Sequence, residues 1–407
     1  MLVNQRRMAM NRVLVSVARC SGLGVAAGIS SITCLWADRG MSPGQFYGLE
    51  MSYAAILLML EVGTGRFSDR FGRVLTLKLG FVAHLMGCLL YATAGSFSDF
   101  LVGEAFFALG ISLHSGTDEA FLFQSIKALK RARGLVVQSS KDDPDHQRWW
   151  TFTIGCGFVA MGLFSFVGTL LSTLDLTYPF WFAAGFQFFS LLLCFFMVEP
   201  PVEDTDGSPT PGGTLREALA SVRSLPRTVL WMIIVPAFIV SVTRTFVWSY
   251  RDIIMECKLG PMGLGYAFAF FNFVAGVATL LGTLIKDDRM ARQVVWVVFV
   301  GVIGSALGLV TLAGPLVWLV LIPQQIARSL TGSLFSQTIN ETIPDRVRAT
   351  VLSIKSAMGA VLYIAALTPW WLGIEIVGRH GMFGVNLAIL SVGAVVLWYT
   401  TPRESSA

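Results

Sequence analysis

The residues of this sequence best suited to chemistry are ionisable side chains that lie inside long apolar stretches. They are Arg19, Glu104, His114, Asp118, Glu119, Arg244 and Arg328. An ionisable side chain in the hydrocarbon core of a membrane costs about 2.5 to 3.5 kcal/mol on insertion scales, so each needs a partner, water or a function. Arginine binds carboxylates and phosphates, whereas acids and histidine can take up and release protons. The sequence therefore predicts anion binding and proton transfer in its apolar part.

Arg328 is the first candidate for binding a substrate anion. It lies about twelve residues, or ~18 Å of helix, from either end of its apolar stretch, which is too deep for its charge to reach water easily. With Arg244 and Arg19 it could hold a carboxylate or phosphate, because guanidinium groups pair bidentately with both. Tyr363 could face the same ligand. As an alternative, Arg19 could simply extend to the membrane surface.

The acids of the fourth apolar stretch, together with one histidine, form the candidate site for proton coupling. On a continuous helix Glu104 and Asp118 differ by only about 40° of rotation, and His114 precedes Asp118 by one turn, so the three share one stripe. With the adjacent Glu119 they could take up and release a proton. The alternatives are that the acids pair with loop arginines, that an acid forms a salt bridge to Arg328, and that His114 is a passive core residue.

The composition places these residues in a membrane protein. Of the 407 residues, 54% are hydrophobic and 14% are charged, against about 25% charged in an ordinary globular domain. Apolar windows long enough to cross ~30 Å of hydrocarbon predict twelve helical spans. These are 13–36, 46–65, 75–95, 100–123, 150–173, 180–198, 229–249, 263–285, 294–312, 316–339, 350–367 and 382–400. A soluble enzyme is excluded, and the net charge of +5 does not indicate nucleic-acid binding because the basic residues punctuate apolar runs.

The distribution of Lys and Arg sets the orientation of the spans, because cationic loops stay on the cytoplasmic side. With the N-terminus inside, the cytoplasmic segments hold 22 of the 30 basic residues, counted with Lys78 at the start of span three. The outer loops hold four, which are Arg39, Arg251, Lys258 and Arg379. We therefore expect both termini in the cytoplasm and a multi-pass protein of a bacterial inner membrane.

A segment rich in proline, glycine and acidic residues divides the chain between spans six and seven. Its composition is typical of a linker and resists packing into a core. The predicted organisation is a six-helix bundle over residues 1–198, a cytoplasmic linker over 199–228 and a second six-helix bundle over 229–407.

The strongest local motif lies between spans two and three, where residues 65–73 read GRFSDRFGR. It resembles the loop motif of the major facilitator superfamily, G-x-L-a-D-r-x-G-r-k. The matching positions are Gly65, Asp69, Arg70, Gly72 and Arg73. Residues 348–353, RATVLS, are similar to the start of helix eleven in bacterial members. The resemblance implies a cytoplasmic gate in which Asp69 faces the positive end of helix eleven near Arg348 and which opens when the two halves rock apart.

The resemblance also implies a fold and a function. The fold is all-α, with twelve transmembrane helices in two six-helix bundles, and helices one, four, seven and ten line the central cavity. Those helices carry the seven ionisable residues named at the start. The implied function is secondary active transport by alternating access. We expect proton-coupled export of a small amphipathic or anionic organic molecule, such as a drug, a metabolite or a siderophore.

Other functions stay open as alternatives. Residues 115–120 (SGTDEA) resemble bacterial efflux proteins, but span five lacks the paired glycines and the proline of the family's export signature. An importer or facilitator of a small organic anion is therefore the second possibility. An intramembrane enzyme is remote, because the sequence contains no HExxH or GxSG motif and no paired catalytic aspartates. We expect a monomer without cofactor, metal or nucleic-acid partner.

Overall fold

The computed structural model is built from helices and turns, and the residues that it describes contain no β-strand. They are 2–135, 144–200, 226–282, 284–285, 288–334 and 345–400. Within these ranges the description omits the side chains of residues 2–5, 61–63, 65–66, 69, 144–147, 151, 260–261, 288, 332–333 and 345–356. Most of the predicted linker, from 201 to 225, lies outside the described residues.

The α-helices follow one another along the whole described chain. In order they are α1 (Leu2–Gly22), α2 (Ala26–Ile29), α3 (Ile32–Asp38), α4 (Pro43–Phe71), α5 (Arg73–Thr93), α6 (Phe97–His114), α7 (Thr117–Ala132), α8 (Pro144–Ser172), α9 (Tyr178–Phe195), α10 (Arg227–Thr245), α11 (Tyr250–Glu256), α12 (Gly260–Gly282), α13 (Asp288–Thr311), α14 (Ile322–Leu334) and α15 (Asp345–Thr400). Short 3-10 segments cover Leu23–Val25, Phe246–Ser249 and Val317–Leu321. Gly378, with φ of +68°, interrupts α15.

The chain divides into two compact units. The first comprises Met1–Gly40 and Ile56–Ser208, and the second comprises Met41–Ala55 and Pro209–Ala407. The first part of α4 therefore belongs to the second unit. The bundle boundaries after residue 198 and before residue 229 stay a prediction.

The all-α membrane fold predicted from the sequence is confirmed. Among the described residues, nine helical segments are long and apolar enough to cross a membrane. One of them, Ala357–Thr400, covers the predicted spans eleven and twelve together. The helices α4 and α14 lie at the predicted spans two and ten. Each of the twelve predicted spans therefore overlaps helical structure in the described part of the chain.

Two local predictions are wrong, and a glycine with a positive φ lies at each of the two places. The helix predicted over 100–123 ends at His114, and Gly116, with φ of +73°, separates it from α7. The loop predicted between spans two and three is instead the end of α4 followed by a turn at Gly72, where φ is +93°. These are backbone conformations that glycine adopts without steric cost. The predicted first span is also divided, into α1, α2 and α3.

Reciprocal glycine–ring contacts pack α5 against α6. A Cβ added to a glycine on one helix would clash at less than 3 Å with a ring on the other. The pairs are Gly80 with His114, Gly87 with Phe107, Gly103 with Tyr91, and Gly110 with His84. Glycines and rings each recur at seven-residue spacing on both helices, which is two helical turns. This spacing keeps all four pairs in one interface and brings α5 and α6 close together.

Candidate functional site

Arg244, near the end of α10 in the second unit, is the centre of a cluster of polar and aromatic side chains. Its Nη2 lies 3.9 Å from Oε2 of Glu50. Its guanidinium carbon lies 4.4 Å from the ring centroid of Tyr363 and 5.6 Å from that of Tyr53. Aromatic faces attract cations in this geometry. The Arg244 side chain is 42% exposed and that of Glu50 only 5%, so the arginine is the accessible member of the pair.

The hydroxyl of Tyr363 connects this cluster to the 3-10 segment after α10. It donates a hydrogen bond to Oε2 of Glu50 at 3.0 Å and accepts one from Nε1 of Trp248 at 3.0 Å. Both Arg244 and Tyr363 were predicted to bind substrate, and both contact Glu50. Glu50 lies near the start of the predicted span 46–65, and the sequence analysis did not identify it as a site residue. The one sign of a role for Glu50 in the sequence is that an acidic residue lies inside an apolar stretch.

Arg328 on α14 lies in the same unit. Its Nη2 donates a hydrogen bond to Oδ1 of Asn272 at 3.0 Å. Among the side chains that the structure describes, none supplies a carboxylate within ion-pair distance of Arg328. An amide oxygen satisfies a donor but does not neutralise a charge. The excess positive charge near Arg328 and Arg244 therefore suits an anionic ligand.

Arg19, the third predicted anion-binding residue, has its charge balanced in the first unit. Its guanidinium pairs with Asp118 and lies 4.7 Å from the ring centroid of Trp150. Asp118 is buried, and it also accepts a hydrogen bond from the backbone N–H of Glu119 at 2.8 Å. Asp118 therefore pairs with an arginine, as one of the predicted alternatives had it. The arginine, however, lies on α1 and not in a loop.

The residues predicted to form one proton-carrying stripe face different helices. The Glu104 carboxylate accepts a hydrogen bond from the hydroxyl of Tyr91 on α5. The His114 ring stacks on the ring of His84, also on α5, with centroids 5.3 Å apart and planes 6° apart. Asp118 instead faces α1. The single stripe required a continuous helix, and the break at residues 115–116 rotates α7 relative to α6.

Nε2 of His114 is buried and has no hydrogen-bond partner in the described part of the protein. The described residues contain no group of three or more His, Cys, Asp or Glu side chains that could hold a metal ion.

The motif at residues 65–73 forms a helix junction that is capped from elsewhere in the chain. Glu199 accepts hydrogen bonds from the backbone N–H groups of Arg73 and Val74, both at 2.8 Å. A carboxylate at this place satisfies free N–H groups and complements the helix dipole. The Arg73 side chain donates to Gln124. Sequence reasoning missed Glu199, because its position after α9 gives no sign of which helix it would reach.

The other members of the predicted gate are only partly described. Gly65, Asp69 and Arg70 lie within α4, and the Arg70 side chain is exposed. The side chains of Asp69 and Arg348 are outside the description. The structure therefore leaves the predicted contact between Asp69 and helix eleven as a prediction.

Removal of the Glu199 carboxylate is expected to destabilise the first unit. Glu199→Ala should lower the free energy of unfolding by about 1 kcal/mol, the usual cost of losing a helix cap. Glu199→Gln should cost less, since its amide oxygen still accepts one hydrogen bond. Thermal unfolding of the purified protein checks both variants. Equal stability of Glu199→Ala and the parent protein would contradict the capping contact.

The apolar helices indicate a multi-pass membrane protein, and the polar cluster lies among them. Comparison with known proteins identifies the family. Residues 14–367 match the sequence model of the Major Facilitator Superfamily, and the chain belongs to this superfamily.

Individual relatives agree with this assignment. An uncharacterized transporter from Buchnera aphidicola subsp. Schizaphis graminum (strain Sg) is 25% identical over 148 residues, which is 36% of this chain and 33% of that protein. The match thus spans a third of the relative's length. A peptide transporter POT has a similar structure, with a TM-score of 0.71, 13% identity and 98% coverage of both chains. A D-xylose-proton symporter has a TM-score of 0.69, 12% identity, and coverage of 98% and 99%. At these identities the two structures support the fold alone.

Proposed function

We propose that this protein is a proton-coupled transporter of small amphipathic or anionic organic molecules that works by alternating access. Arg328, Arg244 and Tyr363 bind the anionic group of the substrate, and Arg19 joins them once its pair with Asp118 opens. One observation carries the proposal. Arg328 and Arg244 lie in the same unit, and among the described side chains Glu50 is the single carboxylate within ion-pair distance of either. A ligand anion would balance the remaining charge.

Proton coupling in this proposal involves the acids and the histidine of α6 and α7. Protonation of Asp118 would weaken its pair with Arg19, and the exposed Glu119 beside it could pass protons to water. Glu104 and His114 form a second proton-binding area against α5. Because Arg19 is 36% exposed and Asp118 only 7%, the arginine is the accessible member of that pair.

The direction of transport has two candidates. Export is the direction that the sequence favours through its likeness to bacterial efflux proteins. Uptake is the second candidate, and the contact between Glu50 and Arg244 favours it, because a displaced Glu50 would bind a proton together with the anion. The similarity in fold to a D-xylose-proton symporter is compatible with proton coupling.

The substrate class is tested by ligand-induced stabilisation, since a ligand that binds only the folded state raises its stability. Purified protein is heated with organic carboxylates, phosphates and sulfonates and with neutral amides and quaternary ammonium compounds that share the same carbon skeletons. We expect only anions to raise the melting temperature. Stabilisation by the neutral or cationic compounds instead would contradict the assignment.

The proposed cytoplasmic gate consists of Asp69 and Arg70 on α4, with Arg348 at the start of α15. Asp69→Asn should reduce transport about tenfold, equivalent to ~1.4 kcal/mol, and leave membrane insertion intact. Substrate flux in proteoliposomes, divided by the amount of inserted protein, measures this. Asp38→Asn, at an exposed helix end, is the matched control. Unchanged flux in Asp69→Asn would remove Asp69 from the gate.

A further inference from the structure

We infer that Glu50 is the proton-binding group that competes with the substrate anion for Arg244, so that the protein binds its proton and its anion together. The inference rests on the proposed function. It adds a residue that lies outside α6 and α7, and it specifies the mode of coupling.

The surroundings of Glu50 contain a small set of charged and titratable groups. From α10 it faces Arg244, with 3.9 Å between Nη2 and Oε2. From α15 it accepts a hydrogen bond from Tyr363 at 3.0 Å. On its own helix, Tyr53 lies beside Arg244, and Tyr47 is hydrogen-bonded to Ser249 at 3.0 Å. Arg244 is therefore the single cation that faces Glu50 among the described side chains.

The contact between Glu50 and Arg244 can be displaced. At 3.9 Å it is an ion pair without a hydrogen bond, whereas charge-assisted hydrogen bonds between guanidinium and carboxylate are about 2.7 to 2.9 Å long. A substrate anion could form two such bonds with the accessible guanidinium of Arg244. The anion would then leave the Glu50 carboxylate buried with no cation, which is costly. Protonation of Glu50 removes that cost.

The substrate anion competes with Glu50 for the Tyr363 hydroxyl as well as for Arg244. It already donates to Glu50 and accepts from Trp248, so its donor is engaged while Glu50 is ionised. A protonated Glu50 is a weaker acceptor, which frees the hydroxyl to donate to the anion. The proton thus releases both Arg244 and Tyr363 for the substrate.

This competition determines how proton and anion are coupled. If the proton on Glu50 increases the affinity for the anion, the anion must increase the affinity for the proton by the same factor. Two ligands that favour each other's binding occupy the site together and cross the membrane in the same direction, as in a symporter. An antiporter needs the opposite relation, in which each ligand excludes the other. An inward proton gradient would therefore drive uptake.

The pH dependence of anion binding tests this inference, with benzenesulfonate as one probe because it stays ionised, alongside the anion that gives the largest stabilisation. For the parent protein we expect the affinity to rise by up to about tenfold for each unit by which the pH falls, since one proton is taken up for each anion bound. Glu50→Gln should bind the anion with little pH dependence and about as tightly as the parent at low pH. Its neutral amide oxygen, like the protonated acid, is a weaker acceptor than a carboxylate and leaves the Tyr363 hydroxyl free to donate to the anion.

Two further measurements separate this role from a structural one. Glu375→Gln, which removes an exposed carboxylate of α15, should keep the pH dependence of the parent. Infrared spectra of the ligand-free protein should show a protonated carboxyl band at low pH that is absent from Glu50→Gln. If Glu50→Gln retains both that band and the parent's pH profile, the inference is overturned and the proposed function stands. If no anion binds the parent protein at any pH, the proposed function itself fails.

Discussion

Replacement of Arg328 by glutamine is expected to lower the affinity for the transported anion by about 30-fold or more. Removing one partner of a close charge pair costs at least ~2 kcal/mol, and each 1.4 kcal/mol corresponds to about tenfold in the dissociation constant. The Asn272 contact at 3.0 Å holds the guanidinium without neutralising it. The loss should therefore come from the ligand and not from a broken internal ion pair. Anion binding to the purified variant, measured by titration calorimetry, checks this.

Two variants make the Arg328 result specific. Arg328→Lys keeps the charge and should lose less affinity, although it cannot bind an anion bidentately. Arg39→Gln removes an exposed arginine at the end of α3 and should bind the anion as the parent does. If Arg328→Gln binds the anion as tightly as the parent, Arg328 is not part of the binding site.

A second large effect is expected for Gly168→Ala, which should destabilise the first unit by about 2 to 3 kcal/mol. A Cβ at Gly168 would lie 2.5 Å from the Cα of Ala27 and 2.6 Å from its carbonyl carbon. The backbone of α2 cannot move aside easily, because Ser30 donates to the Ser165 carbonyl at 3.1 Å and accepts from Thr169 at 3.2 Å. Overpacking at such a contact typically costs about 1 to 3 kcal/mol.

Thermal unfolding in detergent provides the measurement for Gly168→Ala. We expect a melting temperature lower by about 5 to 10 °C. Gly155→Ala, on the same helix, is the matched control because an added Cβ there meets no heavy atom within 4 Å. It should be neutral or slightly stabilising, since alanine favours a helix by about 0.5 to 1 kcal/mol over glycine. A parent-like melting temperature of Gly168→Ala would show that α2 and α8 are not in close contact.

The fold could be predicted from the sequence because the length and hydropathy of each span carry the information. Breaks inside spans were harder to predict. Gly116 follows Ser115 in an apolar stretch, and nothing in the local pattern distinguishes a glycine with a positive φ from the many glycines within helices. The break separated Asp118 from the face of Glu104 and His114, so an error at one backbone position changed the interpretation of the site.

The candidate site could be predicted in part. Deeply placed arginines are visible in the sequence because they are costly in a membrane, and Arg244 and Arg328 do lie in one unit. The partners were not predictable. The contacts of Arg19 with Asp118, of Glu50 with Arg244 and of Glu199 with the start of α5 join positions that are far apart in sequence. Packing of the helices determines them, and one sequence contains no record of it.

Proteoliposomes with an imposed pH gradient give the decisive test of whether the protein transports an organic anion together with a proton. The anion that most stabilises the purified protein is added outside vesicles whose interior is more alkaline. We expect accumulation of the anion inside against its concentration gradient, abolished by a protonophore and by Arg328→Gln. Anion movement that ignores the pH gradient, or that runs opposite to the protons, would contradict the claim.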